Sequence, residues 1–370
     1  MLETFKFFLI LGATGFGGPL SLVQLMREEY VDRKKWLTQQ EFDQVFTLIK
    51  AMPGPVAFQM AVFLGRRFYQ IAGATLAGIG LILPSFLMIV SIGYFYENLA
   101  HLAYIKFAMN GFLYSVSAII LLSLKSMVIT NYKSFAFWII IFLSFCISWQ
   151  GLVAEPIVII GFGGLVVALK SKFLKNTNSV FSAAIILIDW EKIIQLFKTC
   201  LYAGAFVFGT GLAILPVLKS QFVDQFHWLV LQEFNDGVIF GQMTPGPVTI
   251  TASFLGFRIA GFLGALVATF AIFLMPFIHM VTWFPSAVRW LSVQTWIKSF
   301  LLGATGAVIG SILVTVVRMN IDTYKSILFW LIFISTTAIL IYRPKTSLLL
   351  IILVSGIFNL LVSLATTNPI

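Results

Sequence analysis

The sequence predicts an all-α polytopic membrane protein, and three observations support that class. The chain has 370 residues, of which 59% are hydrophobic and 10% are charged, whereas a soluble domain carries about 25% charged residues. Its mean hydropathy is +0.99, so the polar residues are too few to cover a soluble surface. The apolar residues form continuous runs rather than an alternating pattern, which favours spanning helices over a β-barrel.

Two Pro-Gly-Pro triplets, at residues 53–55 and 245–247, interrupt apolar runs that are otherwise long enough to enter a membrane. Proline has no N–H to donate, and it disfavours a helix through the residue before it. The apolar residues after each triplet can restart a helix. The sequence therefore predicts two helix N-termini at membrane depth, where irregular backbone is tolerated only inside protein or beside a water-filled cavity.

The other elements follow in chain order. A first apolar segment is expected over residues 5–23, and a polar, amphipathic stretch over 24–44, in which Thr38 and Glu41 predict a capping box. A basic linker over about 170–192 separates the two halves. The remaining apolar runs cover residues 71–96, 107–129, 134–149, 153–169, 193–217, 238–256, 259–283, 298–317, 324–342 and 347–366.

The second half repeats the first at a nearly constant separation of 192 residues. A shared shift held over about a hundred residues indicates duplication, and we predict repeats at residues 1–175 and 190–370. The matched pairs are Phe16-Gly17 with Phe208-Gly209, Trp36 with Trp228, Glu41-Phe42 with Glu233-Phe234, the two triplets, Pro84 with Pro276, Lys106 with Lys298, Gly111 with Gly303 and, one residue out of step, Leu64-Gly65 with Leu255-Gly256 and Gly73-Ala74 with Gly264-Ala265.

The basic residues indicate how the halves are oriented, because cytoplasmic loops are enriched in Lys and Arg. If every apolar run spans, 11 of the 24 basic residues lie inside, which is no bias. If each triplet segment instead enters and returns, we predict two inverted-topology repeats, each with about five spanning helices plus a re-entrant, broken helical hairpin. Only six of the 24 basic residues then lie outside, namely Lys6, Lys106, Lys219, Arg258, Arg318 and Lys325.

Inverted halves built around broken helices are typical of secondary transporters, whose substrate site lies near the bilayer midplane. Helix N-termini favour negative charge, and few acidic residues lie within the apolar runs, so we predict an anion as substrate. No nucleophile–base set, nucleotide loop or metal-ligand spacing is found, so neither an enzyme nor a cofactor is expected. The net charge of +10 comes from residues between apolar runs; topology explains it, and nucleic acid is not expected.

The predicted substrate-binding residues surround the two breaks. The glycines allow close backbone approach, and Gln59 and Thr249 can donate hydrogen bonds, as can Thr251. The alternatives are helix packing by small residues, triplets that act only as hinges, and a Lys50 that extends to the membrane face. The full set is Gly17, Gly18, Lys50, Pro53, Gly54, Pro55, Gln59, Gly209, Gly211, Pro245, Gly246, Pro247 and Thr249.

Acidic residues precede both breaks, and a proton-coupling carboxylate is predicted among them. The alternative is a solvated interfacial face. The candidates are Glu29, Glu41, Glu233 and Asp236. The lipid bilayer is the other expected partner, and the apolar surfaces leave a homodimer open.

Together these motifs resemble the chromate ion transporter (CHR) family in its two-domain, long-chain form. In the first half the motifs are Phe16-Gly17-Gly18-Pro19, Glu29, Trp36-Leu37, Glu41-Phe42, Pro53-Gly54-Pro55, Gln59, Gly65, Gly73-Ala74 and Leu83-Pro84-Ser85. In the second half they are Phe208-Gly209-Thr210-Gly211, Ile214-Leu215-Pro216, Trp228, Glu233-Phe234, Thr244-Pro245-Gly246-Pro247, Gly256 and Gly264-Ala265.

The resemblance implies a multi-pass protein of the bacterial inner membrane that exports chromate, a tetrahedral dianion close in shape to sulfate. The chain departs from the family pattern at Leu20-Ser21-Leu22, where an Ala-His pair is expected. We therefore predict a secondary transporter of a chromate- or sulfate-like oxyanion that works by alternating access. An anion channel or a non-transporting membrane scaffold is the alternative.

Overall fold

The computed structural model describes residues 1–129, 131–151, 158, 161–164, 190–206, 211–291, 295–344 and 346–367. The elements of the first half are α1 (Leu2–Thr14), α2 (Gly18–Arg27, continued by a π-helical turn over Glu28–Arg33), α3 (Gln39–Ala51), α4 (Val56–Leu99), α5 (Ala103–Val128) and α6 (Phe135–Gln150).

The second half follows the same order. Its elements are α7 (Trp190–Phe206), α8 (Ile214–Lys219, continued by a π-helical turn over Ser220–Gln225), α9 (Leu231–Met243), a 3-10 turn (Val248–Ile250) leading into α10 (Thr251–Val281), α11 (Phe284–Leu291), α12 (Thr295–Met319), α13 (Ile327–Tyr342) and α14 (Leu348–Thr367).

Helices α4, α5, α10, α12 and α14 contain stretches long and apolar enough to cross a membrane, and these are 5 candidate spans within the described residues. Helices α6 and α13 are apolar but shorter. The predicted all-α polytopic class is therefore confirmed. The apolar run over 153–169 lies largely outside the described residues.

The first apolar run is not a single helix, so the segment expected over residues 5–23 is wrong as one element. Helix α1 ends at Thr14, and α2 begins at Gly18, after a turn in which Gly17 has φ +106°. The chain then doubles back, as is shown by the distance of 2.9 Å between the Lys34 ammonium and the Glu3 carboxylate. Lys6 therefore lies on the same side as Lys34, which corrects its assignment to the outside. The apolar character continues through the turn, so the run alone hides the break.

Helices α4 and α10 each contain a sharp reversal. In α4 it falls at Tyr69 and Gln70, and Gln70 has φ 52° and ψ −144°. In α10 it falls at Ala260 and Gly261, and Gly261 has φ 59° and ψ −152°. Each reversal separates a short arm, the first arm over residues 56–68 and the second arm over 248–259, from a long segment over 71–99 or 262–281.

The glycines around each reversal let the arm pack tightly on its long segment. A Cβ on Gly65 would overlap the carbonyl oxygen of Gly73, and a Cβ on Gly256 would overlap that of Gly264. These two contacts are matched in the two halves at a separation of 191 residues. Two close approaches of small residues in the same register are the packing that membrane helices favour.

Two groups of helices surround the arms and their long segments. Helix α1 packs on α4 and α7 on α10, and Gly12 and Gly204 take matching positions against the backbone of the long segments. Helix α5 packs on α14, and α6 packs on α12. Polar links tie the outer group together, such as the 2.8 Å hydrogen bond from Asn320 to the hydroxyl of Ser117.

Candidate functional site

The first break is a tight turn closed by a buried glutamine. Gly54 has φ +133°, which favours glycine, and α4 begins at Val56 directly after the N-cap residue Pro55. The Gln59 side chain is fully buried and donates from Nε2 to the Pro53 carbonyl at 2.7 Å. The turn is therefore tied to the first turn of the helix that follows it.

The first break also packs against the opposite half. A Cβ on Gly54 would lie 2.5 Å from Gln59 Nε2 and 3.0 Å from Cβ of Pro276, which belongs to the long segment of α10. Pro276 is the repeat mate of Pro84. No larger residue fits at Gly54 without moving either the glutamine or the helix of the other half.

The second break is held by two hydrogen bonds to the first half. The N–H of Gly246 donates to the carbonyl of Gly15 at 2.9 Å, and the Ser85 hydroxyl donates to the carbonyl of Pro245 at 2.6 Å. Gly246 has φ +97°, and a Cβ there would overlap Ser85 Oγ. Pro247 caps the 3-10 turn that opens the second arm.

The two breaks therefore have reciprocal surroundings. Each one contacts the long segment of the other half next to a repeat-matched proline, at Ser85 beside Pro84 or at Pro276. Ser85 lies 14 residues from either end of the 71–99 segment, which is about 21 Å of helix on each side. The contact with the second break is thus half-way along a helix of membrane-spanning length.

Each arm begins with groups that can donate hydrogen bonds. The first-turn N–H groups of a helix have no acceptor within that helix, and the helix dipole gives this end a partial positive charge. The Thr249 side chain is fully buried, and its hydroxyl has no hydrogen-bond partner among the described residues. The Nε2 of Gln59 uses one of its two N–H groups on Pro53. Both arms thus offer donors without requiring a charged side chain.

Glycine loops lie beside the second break. Gly17 and Gly18 both have positive φ, and a Cβ on Gly18 would meet no atom of the described residues within 4 Å. Gly211, with φ +73°, lies next to the methyl group of Thr249, which is 3.3 Å from the position of a Cβ. Gly209 lies outside the described residues, and its role stays a prediction.

Lys50 is exposed, and its ammonium lies 4.5 Å from the ring centroid of Phe46 on the same helix. This position fits a lysine that extends to the membrane face. Its place in the substrate-binding set stays a prediction.

Glu41 and Glu233 perform the same structural task in the two halves. The predicted capping box is present: Thr38 N–H donates to Glu41 Oε2 at 2.9 Å. This bond and that from the Thr38 hydroxyl hold the pKa of Glu41 below its ordinary value. Glu41 Oε1 is 3.9 Å from Arg67, and Glu233 Oε1 is 2.7 Å from Arg258. In each half, the helix before the break, the break and the arm after it form a broken hairpin, over residues 39–68 in the first half and 231–259 in the second. Each pair joins the start of such a hairpin to its end.

The other two acidic candidates are buried. Glu29 is 8% exposed and pairs with Arg33 at 3.1 Å and with Lys34 at 3.3 Å. Asp236 is 3% exposed and accepts hydrogen bonds from the Tyr96 hydroxyl at 2.5 Å and from Gln232 at 2.9 Å. No cation is paired with Asp236 in the described part of the chain.

Sequence reasoning missed Ser85 and Gly15, which hold the second break, and Tyr96, which binds Asp236. A signal for Ser85 was present, because a polar side chain follows a repeat-matched proline within an apolar run, where the second half has Phe277. The sequence carried no comparable signal for Tyr96, since its partner lies 140 residues away.

The fold and the paired breaks define a polytopic helical membrane protein built from two homologous halves, each with a broken hairpin. The chromate transporter family matches residues 2–168 and 194–360, so the chain belongs to that family of membrane transporters. The predicted resemblance is thereby confirmed, and the chain is a multi-pass protein of the bacterial inner membrane.

Several relatives match most of the chain. The chromate transport protein of Cupriavidus metallidurans is 32% identical over 337 residues, 87% of this chain and 84% of the relative. A probable chromate transport protein of Synechococcus elongatus is 33% identical over 325 residues, 84% of this chain and 83% of the relative. An uncharacterized transporter of Methanocaldococcus jannaschii is 27% identical over 383 residues, 98% of this chain and 94% of the relative. No solved structure matches the chain significantly.

Proposed function

We propose that this chain is a secondary transporter that exports a tetrahedral oxyanion, chromate in the first place, by alternating access around the two breaks. The observation that carries the proposal is the reciprocal packing of two helix N-termini against the long segments of the opposite halves. The similarity to two relatives named for chromate transport supports chromate as the substrate. Sulfate has the same shape and charge and is the expected competitor.

The donors at the two breaks are helix dipoles and hydrogen-bonding groups rather than lysine or arginine side chains. A negative charge at a helix N-terminus is stabilised by about 0.3–1 kcal/mol, and by about 2 kcal/mol where the site is partly buried. Two such ends, with the Thr249 hydroxyl and the second N–H of Gln59, supply donors on several sides of a tetrahedral ion. Binding of this strength is weak enough to release the ion after each half-cycle.

Contacts at the hairpin bases support the inverted arrangement of the halves. Trp36 packs on Phe68 at a ring distance of 4.8 Å, near the start of the 71–99 segment. Arg258 pairs with Glu97 at 2.7 Å, near the end of that segment. A helix of this length rises about 42 Å, which exceeds the hydrocarbon core of a bilayer. Hairpins with bases at opposite ends of one spanning helix are expected to enter from opposite membrane faces.

Alternating access requires that the two breaks, which form the tips of the hairpins, can leave their contacts. The second tip is held by the hydrogen bonds from Ser85 and Gly246, and each is worth about 1 kcal/mol net. The hairpins themselves are closed at their bases by Glu41 with Arg67 and by Glu233 with Arg258. We therefore propose that each hairpin moves as a unit against the long segments.

Counterflow in proteoliposomes tests the function. Radiolabelled chromate outside should accumulate transiently against an unlabelled chromate pool inside, and sulfate, molybdate and phosphate should be compared as competitors. A channel would equilibrate the label without the transient, and a scaffold would admit none. Export is tested separately in cells, where expression should lower the chromate retained; unchanged or higher retention contradicts the direction.

A further inference from the structure

The acidic groups before the breaks differ in their partners, and one stands apart. Glu29 pairs with Arg33 and Lys34, and Glu233 pairs with Arg258. Glu41 is half exposed and caps its helix. Asp236 is buried and touches only neutral donors within the described residues. A buried carboxylate without a cation is costly, and such groups in membrane proteins mark proton relays.

We propose that Asp236, with the Tyr96 hydroxyl as its partner, is the proton-binding site that couples proton movement to anion transport. This inference rests on the proposed function and adds a driving ion to it. The chemistry is a single protonation, in which the carboxylate takes up a proton to become a neutral acid and later releases it. In the acid form one carboxyl oxygen becomes a donor, so the 2.5 Å bond from Tyr96 and the 2.9 Å bond from Gln232 can no longer both persist unchanged.

A cavity gives the proton a route. It has a volume of about 440 Å³, and its wall includes Asp236, Gln232 and Tyr96 together with the turn between α4 and α5. Lys106 and the exposed side chain of Leu99 lie on that wall, at the end of the 71–99 segment. The cavity therefore extends from the buried carboxyl to the exposed end of the 71–99 segment.

The charged groups nearest the cavity lie on α4, α5, α9 and α10. The Arg258 guanidinium lies 5.1 Å from the centroid of the Tyr96 ring and is bound at 2.7 Å to both Glu97 and Glu233. Lys106 is exposed at the cavity wall. These charged groups surround the Tyr96–Asp236 pair, and none of them is paired directly with Asp236 in the described part of the chain.

One helix connects the proton site to the anion site. The long segment of α4 holds the second hairpin at Ser85, which bonds to Pro245 at the tip, and at Tyr96, which bonds to Asp236. Ser85 and Tyr96 are 11 residues apart, which is about three helical turns and places them on the same face. A change at Asp236 thus alters how the hairpin that carries the tip is held.

The repeat indicates that the proton site occurs once. The repeat mate of Asp236 is Gln44, and that of Tyr96 is Val288. The anion site draws on both halves, whereas the carboxyl and the phenol have no counterparts in the other copy. We therefore expect one proton site per chain.

The test compares Asp236→Asn with the control Asp43→Asn, which removes an exposed carboxylate from the equivalent hairpin. Proteoliposomes with a pH gradient report driven chromate accumulation and proton flux, and the same vesicles at equal pH report counterflow. Asp236→Asn should lose driven accumulation and proton flux but keep counterflow, and the control should keep all three. Driven accumulation equal to that of the unmodified protein would overturn the inference and leave the proposed transport intact. Absence of counterflow in the unmodified protein would instead remove the proposed function.

Tyr96→Phe provides a second variant in case Asp236→Asn does not fold. The carboxylate then loses a hydrogen bond that stabilises its charged form. The pH at which driven transport is half-maximal should therefore shift upward, whereas a merely structural tyrosine would lower the rate without moving the profile. An unchanged profile overturns the pairing of Tyr96 with a proton-binding Asp236.

Discussion

The hydroxyl of Ser85 donates a hydrogen bond to the carbonyl of Pro245 at 2.6 Å, across 160 residues of sequence. This bond fastens the tip of the second hairpin to the middle of the long segment of α4. The same oxygen occupies the space that a Cβ on Gly246 would need. The Ser85 hydroxyl can therefore keep this position only while residue 246 is glycine.

Ser85→Ala should lower the free energy of unfolding by about 1–3 kcal/mol, because the buried Pro245 carbonyl loses its donor. Transport should slow as the tip loses a defined resting position. The control is Ser91→Ala on the same helix, whose hydroxyl bonds only to its own helix at Leu87, at 2.8 Å. Thermal unfolding in detergent should separate the two variants, and equal midpoints would show that the Ser85 bond contributes nothing.

Gly54→Leu and Gly246→Leu should abolish transport, because each position has positive φ and no room for a side chain. The control is Gly151→Ala, where φ is +67° but no atom of the described residues lies within 4 Å of an added Cβ, so only a backbone cost of about 1 kcal/mol is expected. Membrane insertion is checked by yield and size-exclusion profile, and counterflow is then measured. Transport that survives in either properly inserted variant would mean that the anion site is misplaced.

Thr249→Val should separate stability from function. The hydroxyl is buried without a partner among the described residues, so its removal should raise the free energy of unfolding by about 1 kcal/mol. If it binds the anion, chromate affinity should fall by about tenfold, the worth of one hydrogen bond to a charged ligand. The control is Thr251→Val, whose hydroxyl bonds to the Val248 carbonyl at 2.9 Å and is engaged within the turn. Unchanged affinity in the Thr249 variant would exclude that hydroxyl from the site.

Gln70→Gly should stabilise the protein by about 1 kcal/mol or more, because Gln70 holds a backbone conformation that glycine adopts without strain. The second half already has glycine there, with φ 59° at Gly261 against 52° at Gln70. Gly261→Ala is the reverse experiment, since a Cβ at Gly261 would meet no atom within 4 Å in the described part of the chain. Opposite shifts of the unfolding midpoint are expected, and shifts of the same sign would contradict a strained reversal.

Single cysteines at Gln40 and Val230 test the inverted insertion, after Cys146 and Cys200 have been replaced. Both positions are exposed, and each lies at the base of its own hairpin. A membrane-impermeant maleimide applied to intact cells should label only one of them, and labelling of inside-out vesicles should give the converse. Labelling of both from the same side would contradict inverted halves.

The elements that sequence predicted well depend on local or periodic signals. The capping box at Thr38 and Glu41 depends on a spacing of three residues, and the duplication depends on a shift repeated many times. The reversals in α4 and α10 fall at matched positions near Gly73 and Gly264, which the repeat had already paired. Such features can be predicted from sequence because each signal lies within a short stretch or occurs in both halves.

The features that sequence could not supply are those formed between distant segments or hidden in uniform composition. The end of α1 at Thr14 lies within a run that stays apolar, so the run alone places Lys6 on the side opposite to Lys34. The partners of Ser85 and Tyr96 lie 160 and 140 residues away. Glu29 and Glu41 looked equivalent to Asp236 as coupling candidates, because only packing distinguishes a paired or capping carboxylate from one that lacks a cation.

The most direct test of the central claim is anomalous diffraction at the chromium absorption edge from crystals grown with chromate. The account predicts a chromium peak within hydrogen-bonding reach of the first-turn N–H groups of both arms, close to Gln59 and Thr249. A peak beside Arg66 and Arg67 at the base of the first hairpin, with none at the breaks, would contradict it.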